Sequence, residues 1–231
     1  MDYSYLDKNI SEVMAAIDAA KSSSDIKNNV VMLAAIKSAE VDEINYIHKN
    51  LGINDVGENR VQQLLSRYEA LDKEGLNIHF IGHLQTNKVK YIIDKVSMIH
   101  SLDSEKLAKE IDSQAKKHGI VMNVLIEINS GREENKDGVM PEDAEALCLS
   151  LDRYENIKLC GFMTMAPKCD DKNEYLKYFS EIRGLALDIW RNKLNKKEEP
   201  VLSMGMSGSF EEAVKCGSTM VRIGSRLFVK P

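Results

Sequence analysis

Two glycine–serine turns near the C-terminal end of the chain contain residue types that suit a phosphate-binding site. Ser207-Gly208-Ser209 follows an apolar run at residues 201–206, and Gly224-Ser225 follows a β-branched run at residues 219–223. A strand that runs into Gly-Ser before a short helix presents backbone N–H groups and a hydroxyl, which together can hold a phosphate. Either turn alone is equally typical of an ordinary strand-to-helix connection. Ser209 is also the predicted N-cap of the helix that follows.

Lys37 and Arg222 make the phosphate interpretation more specific. Lys37 ends the uninterrupted apolar run at residues 30–36, where desolvation would favour attack of its amine on a carbonyl to give a Schiff base. The alternative is a lysine whose stem lies on the strand while its amine stays in solvent. Arg222 lies inside the last predicted strand, and a charge that faces a barrel interior needs a partner, for which a bound ligand is one candidate. A ligand carrying an aldehyde and a phosphate would satisfy all these residues.

The elements that must position these residues are eight predicted strands alternating with helices. The pattern predicts an α/β protein with a single (β/α)8 TIM barrel over residues 1–231, preceded by an extra N-terminal helix at residues 5–21. A doubly wound open sheet is the alternative, but Lys37-Ser38-Ala39-Glu40 is not the glycine-rich turn that such a sheet has after its first strand. The predicted strands are residues 30–36, 53–56, 77–82, 96–100, 121–129, 157–164, 201–206 and 219–223.

Active sites of such barrels lie where the strands end, and strands one and eight are neighbours in a closed barrel. This geometry predicts that Lys37 and the Gly224-Ser225 turn meet. His79, within the third strand, is predicted to be a hydrogen-bonded core residue rather than a ligand. The residues at the predicted strand exits are Lys37, Asn59, His83, Ser101, Asn129, Thr164, Ser207, Arg222, Gly224 and Ser225.

Composition excludes several other classes of function. The 231 residues include 43% apolar and 29% charged residues with a net charge of −5, and no basic cluster indicates nucleic-acid binding. The four cysteines lack the spacing of a zinc site or a disulfide framework. No apolar run approaches the length of a membrane span, and the first residues lack a basic and apolar signal. We therefore expect a cytoplasmic protein without metal, membrane or nucleic acid, and a monomer.

Six motifs in order resemble the pyridoxal phosphate homeostasis protein family, whose members are single-domain relatives of the N-terminal barrel of alanine racemase. The resemblance implies that pyridoxal 5′-phosphate (PLP) is bound as an internal aldimine of Lys37. It further implies that Arg222 approaches the pyridine nitrogen, that Ser207, Gly224 and Ser225 hold the phosphate, and that the pocket is lined by Asn59, His83, Met204 and Met163. The motifs are Ala35-Ile36-Lys37, Gly57-Glu58-Asn59, residues 79–85 with Asn87-Lys88, residues 161–165, residues 203–207 and residues 221–225.

The same resemblance implies a function in vitamin B6 homeostasis. An arginine beside the ring nitrogen keeps it unprotonated and weakens the cofactor as an electron sink, and racemases of this fold add a tyrosine from a second domain. We therefore expect a PLP-binding protein without known catalytic activity, with PLP-dependent apoenzymes as possible recipients. Two alternatives remain open at this point: a racemase-like PLP enzyme, and a Schiff-base lyase that uses Lys37 on a phosphorylated sugar without a cofactor.

Overall fold

Eight parallel strands form a closed barrel in which each strand pairs with its neighbours in chain order, and β1 pairs with β8. The computed structural model describes residues 2–26 and 29–230. The predicted (β/α)8 architecture is therefore confirmed. The strands are β1 (Val31–Ala35), β2 (Asp55–Glu58), β3 (Asn77–Phe80), β4 (Met98–Leu102), β5 (Met122–Ile128), β6 (Ile157–Thr164), β7 (Val201–Met206) and β8 (Met220–Ile223).

Helices surround the barrel, and the first of them precedes β1 as predicted. Short 3₁₀ turns adjoin α3, α4 and α6. Within residues 2–26 and 29–230, none of the helices combines the length and hydropathy that crossing a bilayer requires. The helices are α1 (Ser4–Ser22), α2 (Val41–Leu51), α3 (Val61–Arg67), α4 (Val89–Ile92), α5 (Glu105–His118), α6 (Ala144–Ser150), α7 (Lys172–Asp188) and α8 (Phe210–Lys215).

Strands β2 and β4 begin two residues later than the apolar pattern predicts, for one physical reason. Ile53 and Val96 were expected to begin strands two and four, but their N–H groups donate to Ile47 and Ile92 carbonyls of the preceding helices. Ile53 and Val96 therefore belong to the turns that close the preceding helices, and β2 and β4 start two residues further along. The predicted helix at residues 172–194 is also shorter, since a π-helical turn at Ile189–Lys193 follows α7.

The main apolar core lies between the outer face of the barrel and the helices, whereas the barrel interior is mixed. A small apolar cluster of Leu33, Ala35, Ile81 and Met220 occupies part of the interior. A continuous row of buried polar groups occupies the rest, and it includes His79, His100, Ser203 and Arg222. As predicted, His79 is a buried residue with hydrogen-bond partners. The mouth above these interior residues carries the candidate site.

Candidate functional site

A pocket of about 270 Å³ opens at the C-terminal ends of β1, β7 and β8. Its position is the one at which (β/α)8 barrels carry their active sites. Its size lies near the lower end of small-ligand pockets, which suits one substituted ring and its phosphate. Six of the eight predicted cofactor-binding residues line it, namely Lys37, Asn59, Ser207, Arg222, Gly224 and Ser225, together with Ala35, Ile81, Met165, Met206 and Gly208.

The two glycine–serine turns meet at one side of this pocket. The Gly224 N–H donates to Ser207 Oγ over 3.2 Å, so the turns after β7 and β8 are in direct contact. A Cβ at Gly224 would lie 3.0 Å from the Ala35 carbonyl oxygen, which leaves little room there for any side chain. A Cβ at Gly208 would have no heavy atom within 4 Å. The Ser207 hydroxyl accepts from Gly224 and keeps its own hydrogen, so a donor adjoins the open space at Gly208, as an anion requires.

Ser209 occupies the predicted N-cap position of α8, but its hydroxyl does not cap the helix. Its hydroxyl accepts a hydrogen bond from the Met206 N–H over 3.3 Å, and no side-chain hydrogen bond caps α8. The predicted N-cap position is confirmed, whereas the hydroxyl closes the turn back onto β7 instead of reaching forward into the helix. This contact fixes the shape of the turn that carries Ser207.

Lys37 lies in the turn that follows β1 and lines the pocket opposite Ser225 and Ser207. Its carbonyl accepts a hydrogen bond from Gln63 Nε2 over 2.8 Å, which holds the turn against α3. The side chain is exposed. The predicted desolvation of the amine is therefore not supplied by the surrounding protein atoms, because Lys37 lies beyond the end of the strand.

Arg222 is 4% exposed and is held by hydrogen bonds to β7 and β6. Its Nη1 donates to the carbonyl and hydroxyl of Ser203 over 2.6 and 2.8 Å, and Nη2 donates to the Thr164 carbonyl over 2.9 Å. A guanidinium has five N–H donors, so two remain beyond these three bonds within the described part of the chain. Burial lowers the pKa of Arg222 to about 10, against the opposing charge of Glu127. The guanidinium is thus cationic at neutral pH and can still donate toward the pocket.

Asn59 provides an acceptor that the protein itself leaves unused. Its Oδ1 is buried and has no hydrogen-bond partner among residues 2–26 and 29–230, although the residue lines the pocket. A buried acceptor without a partner costs about 1–3 kcal/mol. A ligand with a hydroxyl or protonated amine near Asn59 would remove that cost. This orphan acceptor, the lysine and the paired turns together fit an aromatic aldehyde that carries a phosphate and a ring hydroxyl.

His83 and Met204 do not line this pocket, and neither does Met163. The His83 ring lies beyond β3, where its Nδ1 is 2.9 Å from Asp137 Oδ1 across the barrel mouth, and it lines a neighbouring cleft. Met204 is 1% exposed and packs in the outer core. Since side chains alternate along a strand and Ser203 faces Arg222 inside the barrel, Met204 must face the helices. Met165 and Met206 lie at the pocket instead.

Glu127 was not among the predicted site residues, although the structure gives it an unusual environment. It is 3% exposed and lines a cavity of about 650 Å³ that adjoins the pocket through Met165 and Met206. Burial raises the pKa of Glu127 to about 7, while the positive charge of Arg222 opposes the rise. Its position as the single charged residue in β5 (MNVLIEI) is the sequence signal that could have identified it.

The family model described as alanine racemase, N-terminal domain, matches residues 1–230. A pyridoxal phosphate homeostasis protein of Aquifex aeolicus is 44% identical over 205 residues, which cover 87% of either chain. The protein of the same name from Helicobacter pylori is 35% identical and covers 95% of this chain and 96% of its own.

Solved structures agree with these sequence relatives. PipY of Synechococcus elongatus, solved with PLP bound, superposes with a TM-score of 0.78 at 26% identity, covering 93% of this chain and 99% of its own. An alanine racemase of Clostridium difficile shares the fold with a TM-score of 0.75 at 17% identity, and this chain corresponds to 57% of it. On the family model and on relatives that match over most of their length, the chain belongs to the pyridoxal phosphate homeostasis protein family, which is built on the alanine racemase N-terminal barrel.

Proposed function

We propose that this protein binds PLP at the mouth of the barrel and acts in intracellular vitamin B6 homeostasis. The observation that carries the proposal is the convergence of Lys37, Arg222 and the two glycine–serine turns in one pocket. The names of the sequence relatives and the PLP bound to PipY support it. When bound, PLP supplies an aldehyde for imine formation and a ring that can accept electrons.

Each residue of the pocket has a separate role in the proposed binding of PLP. The Lys37 amine would hold the cofactor as a Schiff base of its aldehyde, with water as the leaving group. The Ser207 hydroxyl and the Ser225 end of the Gly224-Ser225 turn would hold the phosphate, with the Gly224 N–H fixing Ser207 Oγ. Asn59 Oδ1 would accept a hydrogen bond from the ring hydroxyl. Arg222 donates to the ring nitrogen. His83 and Met204, which lie outside the pocket, are not part of this proposal.

We propose a binding role rather than catalysis because Arg222 is a poor acid toward the ring. Its pKa of about 10 keeps the guanidinium charged at neutral pH, so it stabilises an unprotonated ring nitrogen. Electron withdrawal by the ring is then weak, and reactions at the α-carbon of amino acids are suppressed. A monomeric, cytoplasmic protein that releases PLP to apoenzymes is the corresponding functional proposal.

The test is the absorbance spectrum of the purified protein after addition of PLP, followed by borohydride reduction and peptide mapping. We expect a visible Schiff-base band and a label on Lys37. The Lys37→Ala variant should lose both, whereas Lys106→Ala, at the start of α5, should retain both. A colourless wild-type protein without a label would overturn the proposal and favour the cofactor-free sugar-phosphate lyase.

One observation favours the racemase-like enzyme as a second candidate. Such an enzyme needs an acid or base besides Lys37, and Glu127, with a pKa of about 7, adjoins the cofactor pocket. Incubation of the PLP-loaded protein with L-alanine in D₂O distinguishes the candidates. Deuterium at the α-carbon, lost in the Glu127→Gln variant, would establish the enzyme. Absence of exchange supports the binding protein.

A further inference from the structure

A continuous row of hydrogen-bonded side chains crosses the barrel interior from its lower end to Arg222. Asp55 Oδ1 is 3.1 Å from His79 Nε2, and His79 Nδ1 is 2.8 Å from His100 Nε2. His100 Nδ1 is 3.2 Å from Ser203 Oγ, which in turn accepts from Arg222 Nη1 over 2.8 Å. We call these five residues the polar row. It links the start of β2 to the candidate cofactor pocket.

The chemistry of the two end residues, Asp55 and Arg222, sets the direction in which hydrogen bonds are donated along the polar row. Asp55 is ionised, because its hydrogen bond with His79 holds its pKa below the usual range, so it accepts from His79 Nε2–H. On a neutral His79 ring, Nδ1 then has only a lone pair, and His100 donates to it from Nε2. His100 Nδ1 is therefore an acceptor, and it takes the Ser203 hydroxyl hydrogen. Arg222 can only donate, so the Ser203 oxygen accepts from it.

In this arrangement both imidazoles carry their proton at Nε2, and each donor in the row has one acceptor. Burial, with His79 and Arg222 nearby, lowers the pKa of His100 well below its usual value. The other titratable group on the interior face is Glu127 of β5. The neighbouring interior positions on β1 and β6, Leu33 and Thr164, do not titrate. A second proton on His100 would make its Nδ1 a donor to Ser203 Oγ, which would turn the Ser203 hydroxyl hydrogen away from His100.

We propose that Ser203, His100 and His79 are positioning residues for Arg222, and that the fixed direction of the polar row sets how Arg222 presents its donors to the bound ring. This inference rests on the proposed function, since it concerns the ring nitrogen of PLP. Without the row, Ser203 could turn its hydroxyl hydrogen toward Arg222 and displace the guanidinium. The ring nitrogen would then lose its aligned donor.

The first experiment needs no cofactor. Long-range ¹H–¹⁵N NMR spectra of the wild-type protein at pH 7.5 report the tautomer of each histidine. We expect His79 and His100 to carry their proton at Nε2 and not at Nδ1, with exposed His118 as the reference ring. A proton on Nδ1 of either buried ring, or a charged ring, would overturn the proposed direction. Because this measurement uses the wild type, it is decisive even if variants of the buried residues fail to fold.

The second experiment measures the effect on the cofactor. Ser203→Ala and His100→Gln should weaken PLP binding about threefold to tenfold, the range for one lost hydrogen bond, and should move the pH midpoint of the visible band. Ser66→Ala and His118→Gln, at exposed positions, are the matched controls and should leave both unchanged. If the wild type binds PLP and the buried variants keep its midpoint, the positioning role is wrong. If the wild type does not bind PLP, the proposed function fails, while the NMR result stands.

Discussion

Glu127 illustrates how much a single buried carboxyl can contribute to the pH dependence of stability. Unfolding returns it to its ordinary pKa of 4.5, whereas the folded protein raises the pKa to about 7. The folded state therefore holds the proton more tightly. Its stabilising contribution is complete below about pH 4.5 and is lost as pH rises to about 7.

We predict that Glu127→Gln, which cannot ionise, gains stability relative to wild type between pH 5 and pH 8. The gain in the free energy of unfolding should be on the order of 2 to 3 kcal/mol, measured by urea denaturation at both pH values. Glu155→Gln, at an exposed position, should show no such change. A difference between Glu127→Gln and wild type that stays constant with pH would contradict the raised pKa.

The comparison with a variant is necessary because His100 acts in the opposite direction. Its folded-state pKa is lowered, so the unfolded chain binds a proton first as the pH falls below the usual histidine value of 6.5. His100 therefore contributes stability above that pH and loses it on acidification. The wild-type profile combines both effects, and only the difference between variant and wild type isolates Glu127.

At the residue scale, the hydrogen-bond donors of the pocket were easier to predict from the sequence than the other residues expected to line it. Lys37, Ser207, Arg222 and the Gly224-Ser225 turn could be placed because lysine, serine, arginine and glycine have few other reasons to end or interrupt an apolar strand. Met204 was misplaced because methionine suits either face, and only the inward orientation of its neighbour Ser203 decides the side. The His83 position depends on Asp137, a contact between distant loops that no local pattern reveals.

At the element scale, Gly161 controls how closely β6 approaches β7. Its φ is +151°, and a Cβ there would lie 2.1 Å from the Val201 carbonyl oxygen, on the strand paired with it. We predict that Gly161→Ala lowers the free energy of unfolding by about 2 to 4 kcal/mol, because the two strands must separate. Urea denaturation measures the loss.

The matched control for Gly161→Ala is Gly184→Ala in α7. A Cβ at Gly184 meets no heavy atom within 4 Å, and alanine favours the helix by roughly 0.5–1 kcal/mol. The two substitutions should therefore have opposite signs. Equal changes in the free energy of unfolding would mean that β6 and β7 can move apart at little energetic cost.

Element types were predictable because apolar runs with strand or helix periodicity alternate along the whole chain. Element ends were less so, since Ile53 and Val96 are as apolar as strand residues although their N–H groups bond to preceding helices. The π-helical turn was not predictable either. It depends on the Leu194 N–H reaching the Ile189 carbonyl, and it accompanies the bond from Trp190 Nε1 to the Glu198 carbonyl.

At the scale of the whole molecule, α1 makes hydrogen bonds to both the first and the last βα units of the barrel. Asn9 Nδ2 donates to the Leu227 and Val229 carbonyls over 2.9 and 3.1 Å. The Tyr5 hydroxyl bonds to Glu43, which also caps α2 and pairs with Lys230. One helix thus contacts both the first and the last βα units, and the barrel seam between β1 and β8 lies between them.

We predict that Asn9→Ala destabilises the entire barrel rather than α1 alone. Loss of one partly buried and one exposed hydrogen bond should cost about 1–2 kcal/mol and lower Tm by about 2–8 °C. The single tryptophan, Trp190, is far from Asn9 along the sequence, and its side chain is 2% exposed. Its fluorescence and the far-UV circular dichroism should therefore fall together, at the same lowered temperature, if the seam joins all elements in one cooperative unit. Asn50→Ala, whose amide bonds only within its own helix, should leave both transitions in place. A lower transition in circular dichroism with unchanged tryptophan fluorescence would instead mean that α1 unfolds independently of a barrel that closes without it.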